Sequence, residues 1–214
     1  MVGGCAKFFA RWPVLLTIFV LPVGANAEPF VGFGLGYGSI NLEAEASFTQ
    51  NSTVLSSAED DDTEGAPAFL FTVGVDRDAS RTYGVFKALP YEDAVVSVFG
   101  VSHDWKFGEE ALKPFLGVSL GLAMLRWTED IETDEFVFEI EDETATSLGL
   151  GAQAGLLYDV DESLSVEAAL RFVATNLETK GSAPVMTAVG PATLEFEQTV
   201  ESLVAFTIGF NYRF

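Results

Sequence analysis

The chain has 214 residues, a formal net charge of −21, 49% hydrophobic residues and a mean hydropathy of +0.29. So acidic a chain offers no basic surface for a phosphate backbone, which excludes a nucleic-acid-binding protein. A soluble acidic protein with this hydrophobic content needs a large core. A transmembrane helix does not account for this hydrophobic content, because no run of 18 apolar residues follows the first 27 residues.

The N-terminal segment predicts a secretory signal peptide over residues 1–27. Lys7 and Arg11 form a positive region before an apolar run at residues 12–24. This run is shorter than the about 20 residues that a membrane-spanning helix needs. The only cysteine, Cys5, precedes the run and is removed with it.

A cleavage site follows the apolar run. Ala25 and Ala27 flank Asn26 in a small-x-small pattern, so Glu28 is expected to open a mature domain of residues 28–214. Two of the 11 basic residues and none of the 32 acidic residues lie before Glu28. The net charge of the mature domain is therefore −23.

Apolar side chains alternate with small or polar ones along the mature domain, which is the period of a strand with two different faces. Eight strands are predicted: 30–42, 68–76, 81–89, 94–107, 113–127, 145–158, 163–175 and 200–214. Glycine occupies one whole face of the first strand, which leaves room inside a narrow barrel. A phosphate-binding glycine loop is discounted because the Lys-Ser/Thr pair is missing and no helical pattern follows.

Three long connections are predicted, and the others are short. The long connections cover residues 43–66, 128–144 and 176–199, and all fall on the same side of the strands. In the first, Asp60, Asp62 and Glu64 match half of a calcium loop, but Phe71 stands where the closing carboxylate belongs. A solvated acidic loop is the preferred interpretation, with weak binding of divalent cations at most.

The last predicted strand ends on the aromatic side chains Phe210, Tyr212 and Phe214, which share one face. An edge strand of a soluble sandwich is the alternative, but a strand between lipid and a polar lumen explains the pattern better. Together with the signal segment and the strand periodicity, these residues resemble the small eight-stranded outer-membrane β-barrels of Gram-negative bacteria, of the OmpA/OmpX/OmpW-like type. The resemblance covers the whole mature domain.

The resemblance implies an all-β, eight-stranded antiparallel up-and-down transmembrane β-barrel with both termini in the periplasm. It also implies that the barrel assembly machinery reads Phe210, Tyr212 and Phe214. The surroundings are then outer-membrane lipid and lipopolysaccharide. Neither a cofactor nor a metal-ligand spacing is indicated.

Strand parity places charged side chains of both signs in the lumen: Asp104, Lys106, Glu167, Arg171, Glu201, Arg213 and also Lys87. A narrow barrel holds no bulk water, so these charges are expected to form ion pairs. Glu167 and Arg171 are four residues apart on one strand and share a face. A static polar plug is preferred to a gate that exchanges ion-pair partners, because eight strands leave room only for side chains.

His103 is the single histidine and stands beside Asp104. Neighbouring residues on a strand point to opposite faces, so the two cannot form a catalytic relay directly. The predicted function is a non-enzymatic integral outer-membrane protein with a structural or surface-interaction role and acidic external loops. Two alternatives remain: a narrow channel for small or apolar solutes, and a lipid A-modifying enzyme.

Overall fold

The computed structural model describes residues 27–50, 53–91, 94–108, 110–127, 131–132, 137–140, 144–187 and 190–214. Within them the strands are β1 (Glu28–Gln50), β2 (Thr53–Asp76), β3 (Ser80–Pro90), β4 (Ala94–Lys106), β5 (Leu112–Trp127), β6 (Ile131–Glu132), β7 (Val137–Ile140), β8 (Thr144–Asp159), β9 (Leu164–Thr187) and β10 (Gly190–Arg213). Of the predicted signal peptide, only Ala27 lies among the described residues, so cleavage before Glu28 stays a prediction.

Eight of these strands form a closed antiparallel ring. The order is β10-β1-β2-β3-β4-β5-β8-β9, and pairing of β9 with β10 completes the circle. Closure gives both edges of every ring strand a partner, as a membrane interior requires. The predicted eight-stranded up-and-down barrel is confirmed. No helix in the described part of the chain has the length and hydropathy to cross a membrane.

Side chains along the ring strands alternate between the lumen and the outer surface. Large apolar side chains cover the outside, and Leu35, Leu120 and Ile208 are each more than half exposed. Exposed Trp105 and Tyr212 lie at the end of the barrel that carries both termini. An apolar band with aromatic residues at its border is the surface that a bilayer covers.

Four of the ring strands are far longer than a bilayer requires. β1, β2, β9 and β10 contain 23, 24, 24 and 24 residues, whereas a transmembrane strand needs about 9–11. Their excess length projects from the end opposite the termini. We call residues 43–50, 53–66, 176–187 and 190–201 the projecting sheet.

The projecting sheet corrects two sequence predictions, because the described residues of the two connections, 43–50 with 53–66 and 176–187 with 190–199, are paired strands rather than long loops. The ladder continues to Gln50 opposite Thr53 in one hairpin and to Thr187 opposite Gly190 in the other. Polar side chains hide the apolar alternation here, although the backbone pairing does not depend on it. The third predicted connection contains β6 and β7, and β7 pairs with β9.

Several inward-facing glycines lie where neighbouring strands approach too closely for a side chain, and two of them show this on opposite sides of the ring. A Cβ atom on Gly36 would overlap the carbonyl oxygen of Phe206 on β10, and one on Gly121 would overlap that of Phe99 on β4. The β1–β10 and β4–β5 contacts lie on opposite sides of the ring. Glycine at these positions allows the wall to coil sharply.

Candidate functional site: the barrel lumen

The half of the lumen nearer the projecting sheet is filled with apolar side chains. Leu89, Leu177 and Val200 have no exposed surface. These three residues belong to a larger apolar cluster, and we call the whole cluster the apolar plug. Its other members are Ile40, Leu42, Ala66, Ala68, Ala94, Val96, Val98, Ala123, Leu125, Ala145, Val173, Leu203 and Ala205. Among the described residues, this apolar cluster packs across the half of the lumen next to the projecting sheet.

A buried ion cluster lies on the side of the plug that faces the termini. Arg81 Nε lies 2.6 Å from Asp104 Oδ2, and Arg81 Nη1 lies 2.5 Å from Glu167 Oε2. Arg171 also pairs with Glu167. The structure therefore brings the predicted Glu167 and Arg171 together and adds Arg81 as the group that joins Glu167 to Asp104.

Neutral side chains add hydrogen bonds to this ion cluster. The Tyr83 hydroxyl donates to Asp104 at 3.0 Å, Gln153 Nε2 donates to the Tyr83 oxygen at 2.6 Å, and Asn211 donates to Glu167 at 3.3 Å. Sequence reasoning did not single out these residues or Arg81 for the site. The alternation along their strands places these side chains on the lumen face, and this signal could have identified them.

Lys87 points into the lumen, as its parity predicts, and is 3% exposed. It stands opposite Leu70 on β2 and the plug residue Val98 on β4. No carboxylate oxygen of the described residues lies within 4 Å of its ammonium group.

A second set of ion pairs occupies the mouth at the end that carries the termini. Lys106 pairs with Asp76 at 2.5 Å, and Lys113 pairs with Asp159 at 2.8 Å. Arg213 lies between them, 3.6 Å from Asp76 and 2.9 Å from Asp159. We call these five residues the mouth chain. The predicted lumen residues Lys106 and Arg213 therefore find their partners at the rim, away from Asp104 and Glu167.

The prediction that Glu201 points into the lumen is wrong. The pairing of β10 with both neighbours shifts between Val200 and Ser202, and relative to β1 this leaves Glu201 as the extra residue of a β-bulge. Its side chain is exposed, while Val200 and Leu203 face inward. A bulge reverses the parity of all residues beyond it, so counting from Phe214 gave the wrong face.

His103 lies on the outer surface, and within the described part of the chain it forms no ion pair with a carboxylate. Its Nδ1 atom is 2.8 Å from the Thr82 hydroxyl, and its ring centroid is 4.8 Å from that of Trp105. Asp104 points the other way, into the lumen ion cluster. Among the described residues, no three His, Cys, Asp or Glu side chains are arranged to hold a metal ion.

The space next to the buried ion cluster is small. A void lined by Arg81, Tyr83, Glu167 and Asn211 measures about 10 Å³. That volume accommodates about one water molecule. In this part of the lumen the arrangement therefore has room to fix charges in place, but not to bind an organic solute.

No protein-family model matches the chain, and no curated protein matches it. The chain is similar to the crystal structure of the outer membrane protein OprG from Pseudomonas aeruginosa. The TM-score is 0.50 and the identity 17%, over 89% of this chain and 98% of OprG. The fold is that of the small eight-stranded outer-membrane β-barrels. At this identity the likeness establishes architecture and leaves the activity open.

Two further structures show weaker likeness to this barrel. Neisserial surface protein A matches at 17% identity and TM-score 0.44, over 83% of this chain and 97% of that protein. The outer membrane protease OmpT from Escherichia coli matches at 6% identity and TM-score 0.46, over 86% of this chain and 97% of OmpT.

Proposed function

We propose that this barrel is a non-enzymatic outer-membrane protein of a Gram-negative bacterium that anchors the projecting sheet at the cell surface and conducts no solute. The apolar outer band supports residence in lipid, and the predicted signal peptide supports export. Both termini and three short turns share one end of the barrel, the arrangement expected for a periplasmic side. The projecting sheet then extends beyond the outer leaflet.

One observation carries this proposal: the lumen is closed at two levels. The Arg81–Glu167 ion pair joins strands on opposite sides of the ring, and the apolar plug fills the section above it. A solute would have to break a buried ion pair and displace packed Leu89 and Leu177. Both steps are costly, so a permanently open channel is the less favoured function.

The projecting sheet is the part of the barrel best suited to contact other molecules. Residues 43–66 and 176–201 contain eleven acidic side chains and one basic side chain, Lys180. Glu45 stands directly opposite Glu197 in the β1–β10 ladder, a like-charge pairing that disfavours folding. The projecting sheet is strongly acidic although repulsion between its carboxylates disfavours folding. This acidity favours a cationic partner, since a negatively charged surface attracts positive charge.

Lys180 does not neutralise this surface. Its ammonium group lies 2.8 Å from Glu178 and 3.1 Å from Glu197. Hydrogen bonds to Glu178 and Glu197 raise the pKa of Lys180, and the hydrogen bond from Lys180 lowers the pKa of Glu178. Lys180 and Glu178 therefore stay charged, and the excess of carboxylates keeps the sheet strongly negative. Weak binding of divalent cations or contact with lipopolysaccharide here also remains a prediction.

Cysteine labelling on intact cells tests location and orientation. The mature domain has no cysteine, so Glu45→Cys on the projecting sheet and Glu162→Cys on a short turn each introduce a single thiol. A membrane-impermeant maleimide should label Glu45→Cys on intact cells. It should label Glu162→Cys only after the outer membrane is permeabilised. The reverse pattern would show that the proposed orientation is wrong.

Planar-bilayer recording tests closure of the lumen. The purified mature protein should give no conductance steps under conditions in which an open porin, added as a positive control, does. Reproducible steps from the wild-type protein would favour the channel.

Mass spectrometry of lipid A from cells with and without the protein tests the enzyme alternative. We expect identical lipid A, and a modification lost in His103→Ala would contradict the proposal.

Binding of a fluorescent oligolysine to the protein in zwitterionic vesicles tests the acidic sheet. Replacing Glu45 and Glu195 by Gln should weaken binding, and salt should weaken the remainder because exposed charges are screened. The matched control neutralises Asp78 and Glu162, which are exposed at the other end. Equal loss in both variants would mean that net charge, and not the projecting sheet, attracts the probe.

A further inference from the structure

The β1–β10 contact is the seam at which the first and last strands close the ring. Backbone hydrogen bonds join the strands along this seam, and near the mouth the Phe214 amide donates to the Pro29 carbonyl oxygen at 3.0 Å. The side chain of Arg213, at the end of β10, reaches past both neighbouring strands. It contacts Asp76 at the end of β2 and Asp159 at the end of β8.

The mouth chain connects strands that the backbone ladder does not connect. Lys106 on β4 pairs with Asp76 on β2, which skips β3, and Asp76 pairs with Arg213 on β10, which skips β1. Arg213 pairs with Asp159 on β8, which skips β9. Lys113 on β5 then reaches Asp159 on the adjacent strand. Four alternate strands are linked in this way around the mouth.

Arg213 is the hub of this chain. Its Nη1 atom contacts Asp76, its Nη2 atom contacts Asp159, and Nη2 also donates to the Asp161 carbonyl oxygen at 3.1 Å. The Glu28 carboxylate lies 4.0 Å from its Nε atom. The planar guanidinium can hold two carboxylates at once, which an ammonium group on a single stem cannot do in the same geometry.

Burial distinguishes these contacts from ordinary surface ion pairs. The side chains of Arg213 and Asp76 are 10% and 9% exposed, and that of Lys106 is 2% exposed. Exposed ion pairs contribute little because water and salt screen them, whereas breaking a largely buried pair leaves a charge without its partner.

We propose that Arg213 is an ionic clasp that holds the β1–β10 seam shut by tying β10 to β2 across it and to β8 on its other side. Closure of this barrel then depends on a side-chain contact at the mouth as well as on the backbone ladder. The β5–β8 ladder from Val118 opposite Ala152 to Leu125 opposite Ala145 does not cross the seam and lies away from Arg213 and Asp159, so it serves as an internal reference.

Hydrogen exchange of the mature protein in detergent micelles tests the clasp. In Arg213→Gln, amides of residues 28–37 and 204–214 should exchange about tenfold faster, a factor that corresponds to about 1.4 kcal/mol. Amides of residues 118–125 and 145–152, which pair with each other away from the mouth, should keep their rates. Arg213→Lys should fall between the two proteins. Uniform acceleration or no acceleration would contradict the proposal, because the clasp acts on one seam.

A disulfide rescue keeps the test decisive if Arg213→Gln folds poorly. Val31 stands directly opposite Tyr212 across the seam, and Val118 stands opposite Ala152 across β5–β8. A Val31→Cys/Tyr212→Cys disulfide should restore resistance to SDS unfolding in Arg213→Gln. The Val118→Cys/Ala152→Cys disulfide should not. Lys180→Gln, which breaks an exposed bridge, should leave the wild-type resistance unchanged. Equal rescue by both disulfides, or by neither, would overturn the clasp.

Discussion

Arg81 on β3 and Glu167 on β9 form an ion pair across the full width of the lumen. Their Nη1 and Oε2 atoms are 2.5 Å apart, although the two strands are four positions apart in an eight-stranded ring. Arg81 also contacts Asp104, and its guanidinium lies 4.6 Å from the centre of the Phe115 ring. One buried side chain therefore links β3, β4, β5 and β9 and closes the barrel at this level.

We expect Arg81→Gln to be among the most destabilising substitutions in the barrel. The substitution removes a cationic partner from both Glu167 and Asp104 in a buried site. Removing one member of a buried ion pair lowers the free energy of unfolding by about 3–5 kcal/mol. Urea unfolding of the protein in vesicles, followed by tryptophan fluorescence, measures the loss. Adding Asp104→Asn to Arg81→Gln should restore part of the stability, because Glu167 keeps Arg171 as a partner whereas Asp104 loses its ion pair with Arg81.

Lys180→Gln is the control for Arg81→Gln. Lys180 also bridges two acidic partners but is 56% exposed, so its loss should change the unfolding free energy by at most about 1 kcal/mol. Similar losses in the two variants would mean that the Arg81 site is not desolvated.

Two neighbouring glycines on the same face of β1 should respond differently to a methyl group. In Gly36→Ala the new Cβ atom overlaps the Phe206 carbonyl oxygen, and the rigid β10 backbone cannot yield without breaking the ladder. In Gly34→Ala the nearest atoms are 3.4 Å away, an ordinary contact. We expect Gly36→Ala to lose most of its SDS-resistant form in refolding assays, while Gly34→Ala keeps it.

Sequence periodicity predicted the ring because each lipid-facing side chain signals its own position. Outward Leu120 and inward Gly121 differ in the way that lipid and a narrow lumen require, and such local contrast needs no knowledge of the partner strand. The same reasoning placed Lys87 inside, since a lysine on the lipid face is costly.

The wrong predictions concern features that local polarity does not encode. Nothing in the residue types of 43–66 distinguishes a polar hairpin from a polar loop, because its pairing is made by the backbone. Which charge meets which also depends on ring geometry. Arg81 and Glu167 are adjacent only because strands four places apart face each other, and the bulge at Glu201 is invisible to a count of every second residue.

Sequence periodicity predicts that both Glu167 and Glu201 face the lumen, but the bulge places Glu201 on the outside. The two glutamates should therefore differ in how much they contribute to stability. Glu201→Gln should change stability by no more than about 0.5 kcal/mol, as is usual for an exposed site. Glu167→Gln removes the partner of two buried arginines and should cost several times more. Paired urea titrations compare them directly. Equal costs would indicate that β10 lacks the bulge and that Glu201 faces inward.

The short turn between β8 and β9 provides a prediction about pH. The backbone amides of Ser163 and Leu164 each donate a hydrogen bond of 2.8 Å to Asp161 Oδ1, and these bonds lower the pKa of Asp161. A carboxylate whose folded pKa lies below its unfolded value of about 3.9 stabilises the fold above that value. This contribution is lost as the pH falls through the lower, folded pKa.

Asp161→Asn keeps a side-chain oxygen for both amides but removes the charge. Its urea midpoint should therefore lie slightly below that of the wild type at pH 7, and the two midpoints should converge as the pH falls through the lowered pKa of Asp161. Glu162→Gln removes an equal charge from the same turn without touching these hydrogen bonds, so it controls for net charge. A midpoint difference that persists unchanged in acid would show that the charge of Asp161 does not contribute, because protonation would then have made no difference to the turn.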